Sequence, residues 1–334
     1  MATPTEHPAE PLGVTFASLG ILGPAAAPML ARRAVELGYS SFWTAEANAS
    51  DAISLLGAVR AVAPDLDVGT GVMPIQLRSP ALVAMSAATL QQLAPQGQVL
   101  VGVGVSTPVV AGQWHGSDGT DRPLARMREY LTLLRELLSG EPVTFDGDFW
   151  SVRRFQLGVR YTDERRPRLV LAALNPGMLR LAGELADGVL LNYLPASHVG
   201  ASVAEVRSGG GATVYAYVHA AVGDPQRALR SARRDLFGYV MADGYARMLV
   251  QAGFSEEVAM VRAAMAERDR DGAVEAISER MAFEIDFVGD HDGVTGYIRS
   301  YRAAGVTHPV LMPLPWGEDR MSVTEATMAA AAEA

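Results

Sequence analysis

The segment Asp65–Pro108, DLDVGTGVMPIQLRSPALVAMSAATLQQLAPQGQVLVGVGVSTP, decides the fold. Asp67–Val72 is rich in β-forming residues and carries Gly69 and Gly71 near its end. Ser79-Pro80 opens an amphipathic helix over Pro80–Leu93. Gln98–Val105 is a second β-rich run, followed by the small-residue loop Ser106–Pro108. Strand, helix and strand in that order make one β-α-β unit. In α/β folds the loops at the carboxyl ends of such parallel strands carry the chemistry.

The same rhythm extends on both sides. Upstream, Leu12–Ser18 and Tyr39–Ala45 read as strands, with helices over Ala25–Leu37, closed by Gly38, and Ala52–Ala63, capped by Asp51. Downstream come a helix over Pro123–Leu138 and a hairpin within Val143–Arg166 that turns at Asp146-Gly147. Strands follow at Arg168–Ala173, Gly188–Tyr193 and Thr213–Val222, with a helix starting at Pro176. Asp224-Pro225 opens a helical region to about Met281, with Gly244, Gly253 and Gly272 as internal stops. Phe287–Gly289 is expected as a turn, Gly293–Ala304 as a helix, Pro309–Leu314 as the eighth strand and the alanine-rich tail after Gly317 as a frayed helix. The count predicts a single (β/α)8 TIM barrel with its core over residues 12–315. It carries three insertions: the long loop Ser106–Arg122 after strand four, the hairpin before strand five, and extra helices before strand eight.

Composition narrows the chemistry. The 334 residues are 49% hydrophobic and 19% charged, enough for one large core. A net charge of −9 argues against nucleic acid or an anionic membrane as partner. No apolar run approaches the roughly 18 residues of a membrane span, and MATPTEHPAEPLG lacks the features of a signal peptide, so a cytoplasmic protein is expected. There is no cysteine, and all 28 residues counted as lysine or arginine are arginine. Thiol chemistry, Schiff bases and lysine-bearing phosphate loops are therefore excluded. The six histidines, at 7, 115, 198, 219, 291 and 308, show no metal-site spacing, and no metal is expected.

The expected strand ends hold small, apolar and amide side chains, including Phe16, Gly71, Ser106, Thr107, Leu174, Asn192 and Tyr193. Such a mouth suits an organic cofactor that brings its own reactivity to bind a small-molecule substrate. Leu174-Asn175-Pro176-Gly177-Met178 is either a phosphate-binding helix start or an ordinary cap. Thr70, Gly71 and Val72 are either a ligand shelf or packing glycines with their neighbours. His115, beside Trp114 in the long loop, either transfers a proton or pins the loop. Glu46 is either an acid/base or a carboxylate tied to an arginine. Phe16, Trp114, Asn192 and Tyr193 are the expected substrate contacts. Trp43 reads as core, and Arg78 as an anion contact or a surface residue.

Several stretches together resemble the luciferase-like monooxygenase superfamily, and within it the coenzyme F420-dependent oxidoreductases: LGYSSFWTAEA, VGTGVMPIQLRSPALVAMSAATLQQL, LVGVGVSTP, WHG, RPLARMREYLTLLRELLSGEPVTFDGDFW, LVLAALNPGMLRLAGELADGVLLN and FVGDHDGVTGYIRSYRAAGV. The resemblance covers nearly the whole chain. It implies a barrel binding a deazaflavin at its carboxyl-end mouth, with a cis peptide at Gly71-Val72 behind the ring. It places the phosphate on Leu174–Met178 and further cofactor contacts at Thr70, Ser106 and Thr107, and it implies a homodimer. The reaction implied is hydride transfer between F420 and a small organic substrate. An FMN-dependent monooxygenase and a non-catalytic flavin-binding barrel are the alternatives. The chain departs from the family in Ala45-Glu46-Ala47, where many members carry a histidine, and at Ser106-Thr107, where some carry an acid. The acidic tail of F420 could also meet the arginines at 153, 154, 160, 165, 166 and 168, although such clusters commonly form a solvated face.

Overall fold

The computed structural model describes residues 10–117, 119 and 121–334. His7 and the first nine residues of the stretch behind the signal-peptide expectation lie outside them. Eight strands close a ring: β1 Gly13–Thr15, β2 Ser41–Thr44, β3 Asp67–Thr70, β4 Val99–Gly104, β5 Arg168–Ala172, β6 Gly188–Leu191, β7 Thr213–Val222 and β8 His308–Pro313. Each pairs in parallel with the next, and β8 returns to β1 through Gly13↔Val310 and Val14↔Leu311. The predicted TIM barrel is the fold.

Period-two alternation sorts the strand residues into two cores. Val14, Phe42, Val68, Val101 and Leu169 face outward into the layer under the helices. Trp43, Leu100, Val170, Leu190, Tyr215, Tyr217, Val310 and Met312 fill the barrel. Trp43 is fully buried, its ring 5.1 Å from that of Tyr215, so it is core as expected. Gly69 makes room for it, because a Cβ there would come within 2.4 Å of the indole. Below Trp43, its indole N–H donates to Ser41 Oγ at 2.9 Å, and His308 Nε2 meets the same oxygen at 2.9 Å. Burial pushes the His308 imidazole down to about 4, because charging it there would strip it of water.

The helices α1 Ala26–Glu36, α2 Ala52–Val62, α3 Pro80–Leu93, α4 Pro123–Leu137, α5 Pro176–Leu185 and α6 Ala196–Ser208 alternate with the strands. Ser79 caps α3 by accepting from the Leu82 N–H, with proline in the first turn. The inserted hairpin pairs Val143–Asp146 with Ser151–Phe155. Its tip is held by Glu129 of α4, which accepts from the N–H groups of Asp148, Phe149 and Trp150.

The region between β7 and β8 needs correction in three places. It contains α7 Pro225–Val240, α8 Asp243–Gln251, α9 Ser255–Ala266, α10 Arg270–Glu275, α11 Glu279–Ile285 and α12 His291–Ala303. Gly253, at φ 94°, ends α8 as expected. Gly244 and Gly272 instead lie inside α8 and α10, and Asp269 sets the start of α10 by capping the Gly272 N–H. The expected turn at Phe287–Gly289 belongs to a short strand, Asp286–Gly289, parallel to the outer end of β7. The tail is not frayed either. It forms α13, Arg320–Ala332, capped by Asp319, with Thr327, Met328 and Ala331 buried. The Thr327 hydroxyl accepts from the Val222 N–H, tying the helix to β7.

Two loop expectations also change. Val109–Trp114 winds into a π-helical turn. The arginines at 160, 165, 166 and 168 sit at the amino end of the barrel, where Arg165 donates to the Gln96 carbonyl and Arg166 and Arg168 face Asp187. That is the end away from the loops of the mouth.

Candidate active site

The carboxyl ends of the strands surround a cavity of about 500 Å³. Its floor follows from alternation: the inward residues closing β1 to β3 are Ala17, Ala45 and Gly71. Gly104 and Ala172 continue this row on β4 and β5, and a Cβ on Gly104 would lie 2.8 Å from Val72 and 3.3 Å from Ala172. Three adjacent strands thus end without bulk at the cavity, and Val72 packs over Gly104 on the fourth. On the opposite side β6 supplies Asn192, β7 Tyr217 and β8 Met312, with His219 behind Asn192. A flat wall facing polar groups fits a planar organic molecule.

The Gly71-Val72 peptide bond is cis, as the resemblance implied. The Gly71 carbonyl accepts from Tyr217 Oη at 3.1 Å, and the Val72 carbonyl accepts from the Glu46 N–H at 3.1 Å. The bulge is therefore held from below and from the side. Beside it, Gln76 Oε1 accepts from the Ser106 N–H at 3.4 Å, while Gln76 Nε2 is buried with no acceptor among the described residues. Thr107 Oγ1 accepts from the Val110 N–H.

At the start of α5, Asn175 does not cap the helix with its side chain. Its amide donates instead to the Gly244 carbonyl of α8 at 2.9 Å. Among the described residues the Gly177 N–H has no acceptor, so this helix start stays open to an anion.

The polar wall is a buried network. His219 Nδ1 lies 2.9 Å from Asp286 Oδ1, and His219 Nε2 lies 2.8 Å from Asn192 Oδ1. Tyr193 Oη donates to Asp235 Oδ2 at 2.8 Å, and Tyr193 stacks on Tyr239 at 3.6 Å. Asp235 of α7 and Asp286 interact side chain to side chain. Burial, then the neighbouring Asp286 carboxyl, push the Asp235 carboxyl up to about 6. Burial raises Asp286 well above the usual carboxylate range and pushes the His219 imidazole down to about 4.

Of the expected site residues, Gly71, Asn192 and Tyr193 line the cavity. Others face elsewhere. Phe16 points outward by alternation and packs on Phe42 at 6.5 Å, which removes it as a substrate contact. Thr70 also faces outward, its hydroxyl donating to the Gly102 carbonyl and accepting from the Gly102 N–H, each at 2.8 Å. Glu46 has both carboxylate oxygens on Arg78, at 2.8 and 2.7 Å, and Arg78 also pairs with Asp51. That bidentate pair leaves Glu46 no free oxygen for proton transfer. His115 is exposed and meets the Ala47 carbonyl through Nε2, so it pins the π-turn to the loop after β2. Trp114 is 53% exposed and stands outside the cavity. Sequence reasoning missed His219, Asp235 and Asp286. The one available signal was alternation within Thr213–Val222, which puts His219 on the same face as Tyr215 and Tyr217.

A closed eight-stranded parallel barrel with its cavity at the carboxyl ends of the strands has the architecture of a barrel enzyme. The chain belongs to the luciferase-like monooxygenase family, whose pattern matches residues 2–308. It is 27% identical over 308 residues to 5,10-methylenetetrahydromethanopterin reductase of Archaeoglobus fulgidus, covering 86% of this chain and 89% of that one. It is 38% identical over 148 residues to F420-dependent glucose-6-phosphate dehydrogenase of Beutenbergia cavernae, covering 43% and 42% of the two chains. The structure superposes on coenzyme F420-dependent tetrahydromethanopterin reductase from Methanopyrus kandleri with a TM-score of 0.80 over 98% of both chains, at 20% identity.

Proposed function

We propose that the protein is a coenzyme F420-dependent oxidoreductase that transfers a hydride between the deazaflavin and a small organic substrate. The observation that carries this reading is the row Ala17, Ala45 and Gly71 on the cavity floor, which leaves a slot for a flat ring beside the Gly71-Val72 bulge. The names of the aligned relatives favour F420 over FMN as its occupant. Bound there, the deazaflavin supplies two-electron hydride chemistry.

The chain supplies the rest. Gly71 and Val72 back the ring, Ser106, Thr107 and the unpartnered Gln76 amide meet its polar edge, and Leu174–Met178 present the open helix start to the phosphate. Asn192 and Tyr193 hold the substrate on the polar wall. The apolar lining from Met312 and Leu314 excludes water, which strengthens each polar contact. The same proposal has the protein act in the cytoplasm as a homodimer, and the exposed stripe Leu82, Met85 and Leu93 on α3 is apolar surface that a partner copy would cover. Fluorescence titration of the apoprotein with F420 and with FMN tests the reading, followed by turnover of carbonyl and imine substrates with reduced F420. Selective FMN binding would overturn it.

A further inference from the structure

The insertion between β7 and β8 delivers two acids to one place. Asp235 comes from α7, Asp286 opens the short strand beside β7, and both meet His219. Nearest ligand atoms of the three groups lie within 4.8 Å of one another. Both ring nitrogens of His219 are already engaged, one by Asp286 and one by Asn192, so the cluster holds protons rather than a cation.

Donor and acceptor matching assigns those protons. Asn192 presents its carbonyl oxygen to Nε2, so a neutral His219 carries its proton there, and its bare Nδ1 must accept. Asp286 Oδ1 is then the hydroxyl that donates to Nδ1. Its other oxygen, Oδ2, is buried with no partner. The neighbouring carboxyl, Asp235, interacts with Asp286 side chain to side chain and lines the cavity. When Asp235 is ionised, the Tyr193 hydroxyl holds it.

Building on the function proposed above, we propose that Asp235 is the proton-transfer residue of the cavity, held ready by Asp286 and His219, for substrates with a reducible C=O or C=N bond. In reduction, a bound reduced deazaflavin would supply the hydride that adds to the substrate carbon. The π electron pair moves to oxygen or nitrogen, which takes the Asp235 proton. The carboxyl O–H bond breaks, the new O–H or N–H bond forms, and Asp235 is left as a carboxylate bonded by Tyr193. Water at the mouth returns the proton. Oxidation runs the same step backward, with the carboxylate as base. Asp286 and His219 do not line the cavity and act as positioning residues.

Groups facing Asp235 are Tyr193 after β6, His219 of β7, Tyr239 on its own helix and Asp286. Its elevated titration, at about 6, agrees with this crowding.

Infrared difference spectra of the apoprotein across about pH 5 to 8 test the arrangement directly. The expected result is a protonated-carboxyl band that titrates above the ordinary aspartate range, is lost in Asp235→Asn, and titrates higher in Tyr193→Phe, which removes a donor to the carboxylate. No such band in the wild-type protein, or an unchanged band in Asp235→Asn, overturns the proposal. Where F420 binds, Asp235→Asn is expected to lower kcat by about 10²-fold or more and to abolish the pH limb, with F420 affinity retained. Unchanged kcat and pH profile in that variant would equally overturn it. The infrared titration needs no cofactor, so failure of the acid pair is told apart from failure of the F420 reading.

Discussion

Replacing Gly71 with alanine is the sharpest test of how the mouth is built. The new Cβ would stand 1.9 Å from Tyr217 Oη, 2.6 Å from Tyr217 Cζ and 2.9 Å from Leu190 Cδ2. Both neighbours are buried, at 2% exposure each. The Tyr217 hydroxyl is further fixed at 3.1 Å from the Gly71 carbonyl and 3.3 Å from Thr15 Oγ1. Overpacking of this kind costs about 1–3 kcal/mol, and a displaced hydrogen bond adds about 1 kcal/mol. A total of about 3 kcal/mol is expected. With about 2.1 cal/mol/K of unfolding entropy per residue, the 334-residue chain changes by about 0.7 kcal/mol per kelvin, so Tm falls by about 4 °C. Scanning calorimetry of Gly71→Ala, Tyr217→Phe and the double variant checks this. Removing the phenolic oxygen relieves the closest clash, so the double variant should lose about 1 kcal/mol less than the sum of the singles. An unchanged Tm in Gly71→Ala, or strictly additive losses, would refute the packing argument.

Other expectations follow from the same geometry. Arg78→Met strands the Glu46 carboxylate, whose side chain is 12% exposed, and should cost about 2 kcal/mol in urea unfolding, between the values for exposed and buried pairs. His115→Ala should leave turnover within about threefold of wild type while speeding proteolysis of the 106–122 loop, because an exposed side chain that pins a loop mainly limits its opening. A drop in kcat of about 10²-fold would restore His115 to the chemistry. For pH, the folded His308 titrates at about 4, below its unfolded value of about 6.5. Its neutral form is favoured by folding, so this stabilisation is full above about pH 6.5 and is lost as pH falls toward 4. On the order of 3 kcal/mol should disappear over that window. His308→Asn should lose about 3 kcal/mol less between the same pH values, His219 still contributing in both, and equal losses in the two proteins would contradict the assignment.

The barrel was legible because its signal is local. Each β-α step repeats an apolar run, a helical period and a cap, so Pro80–Leu93 and Thr213–Val222 match their observed bounds. Misread elements are those set by distant partners. Asp286–Gly289 is a strand only because β7 extends past the ring to pair with it, and the tail is ordered because Thr327 reaches β7. Glycines at 244 and 272 could not be recognised as helical residues from spacing; at 272 the Asp269 cap rather than the glycine sets the boundary. The site divides in the same way. Gly71 and Val72 were visible within a long contiguous motif. The Asn192, His219, Asp235 and Asp286 network is scattered over the chain, and only the closed ring brings it together. Glu46 and His115 looked reactive because their residue types are, but Arg78 and the Ala47 carbonyl occupy them.

The central claim is that the row of small residues beside Gly71-Val72 receives the deazaflavin ring. A crystal structure of the protein soaked with F420 tests it most directly. The account predicts the ring against Gly71 and Val72, with its phosphate on the amide end of α5 and its exposed face toward Asn192 and Asp235. F420 bound away from this row, or FMN taken into it in preference to F420, would contradict the claim.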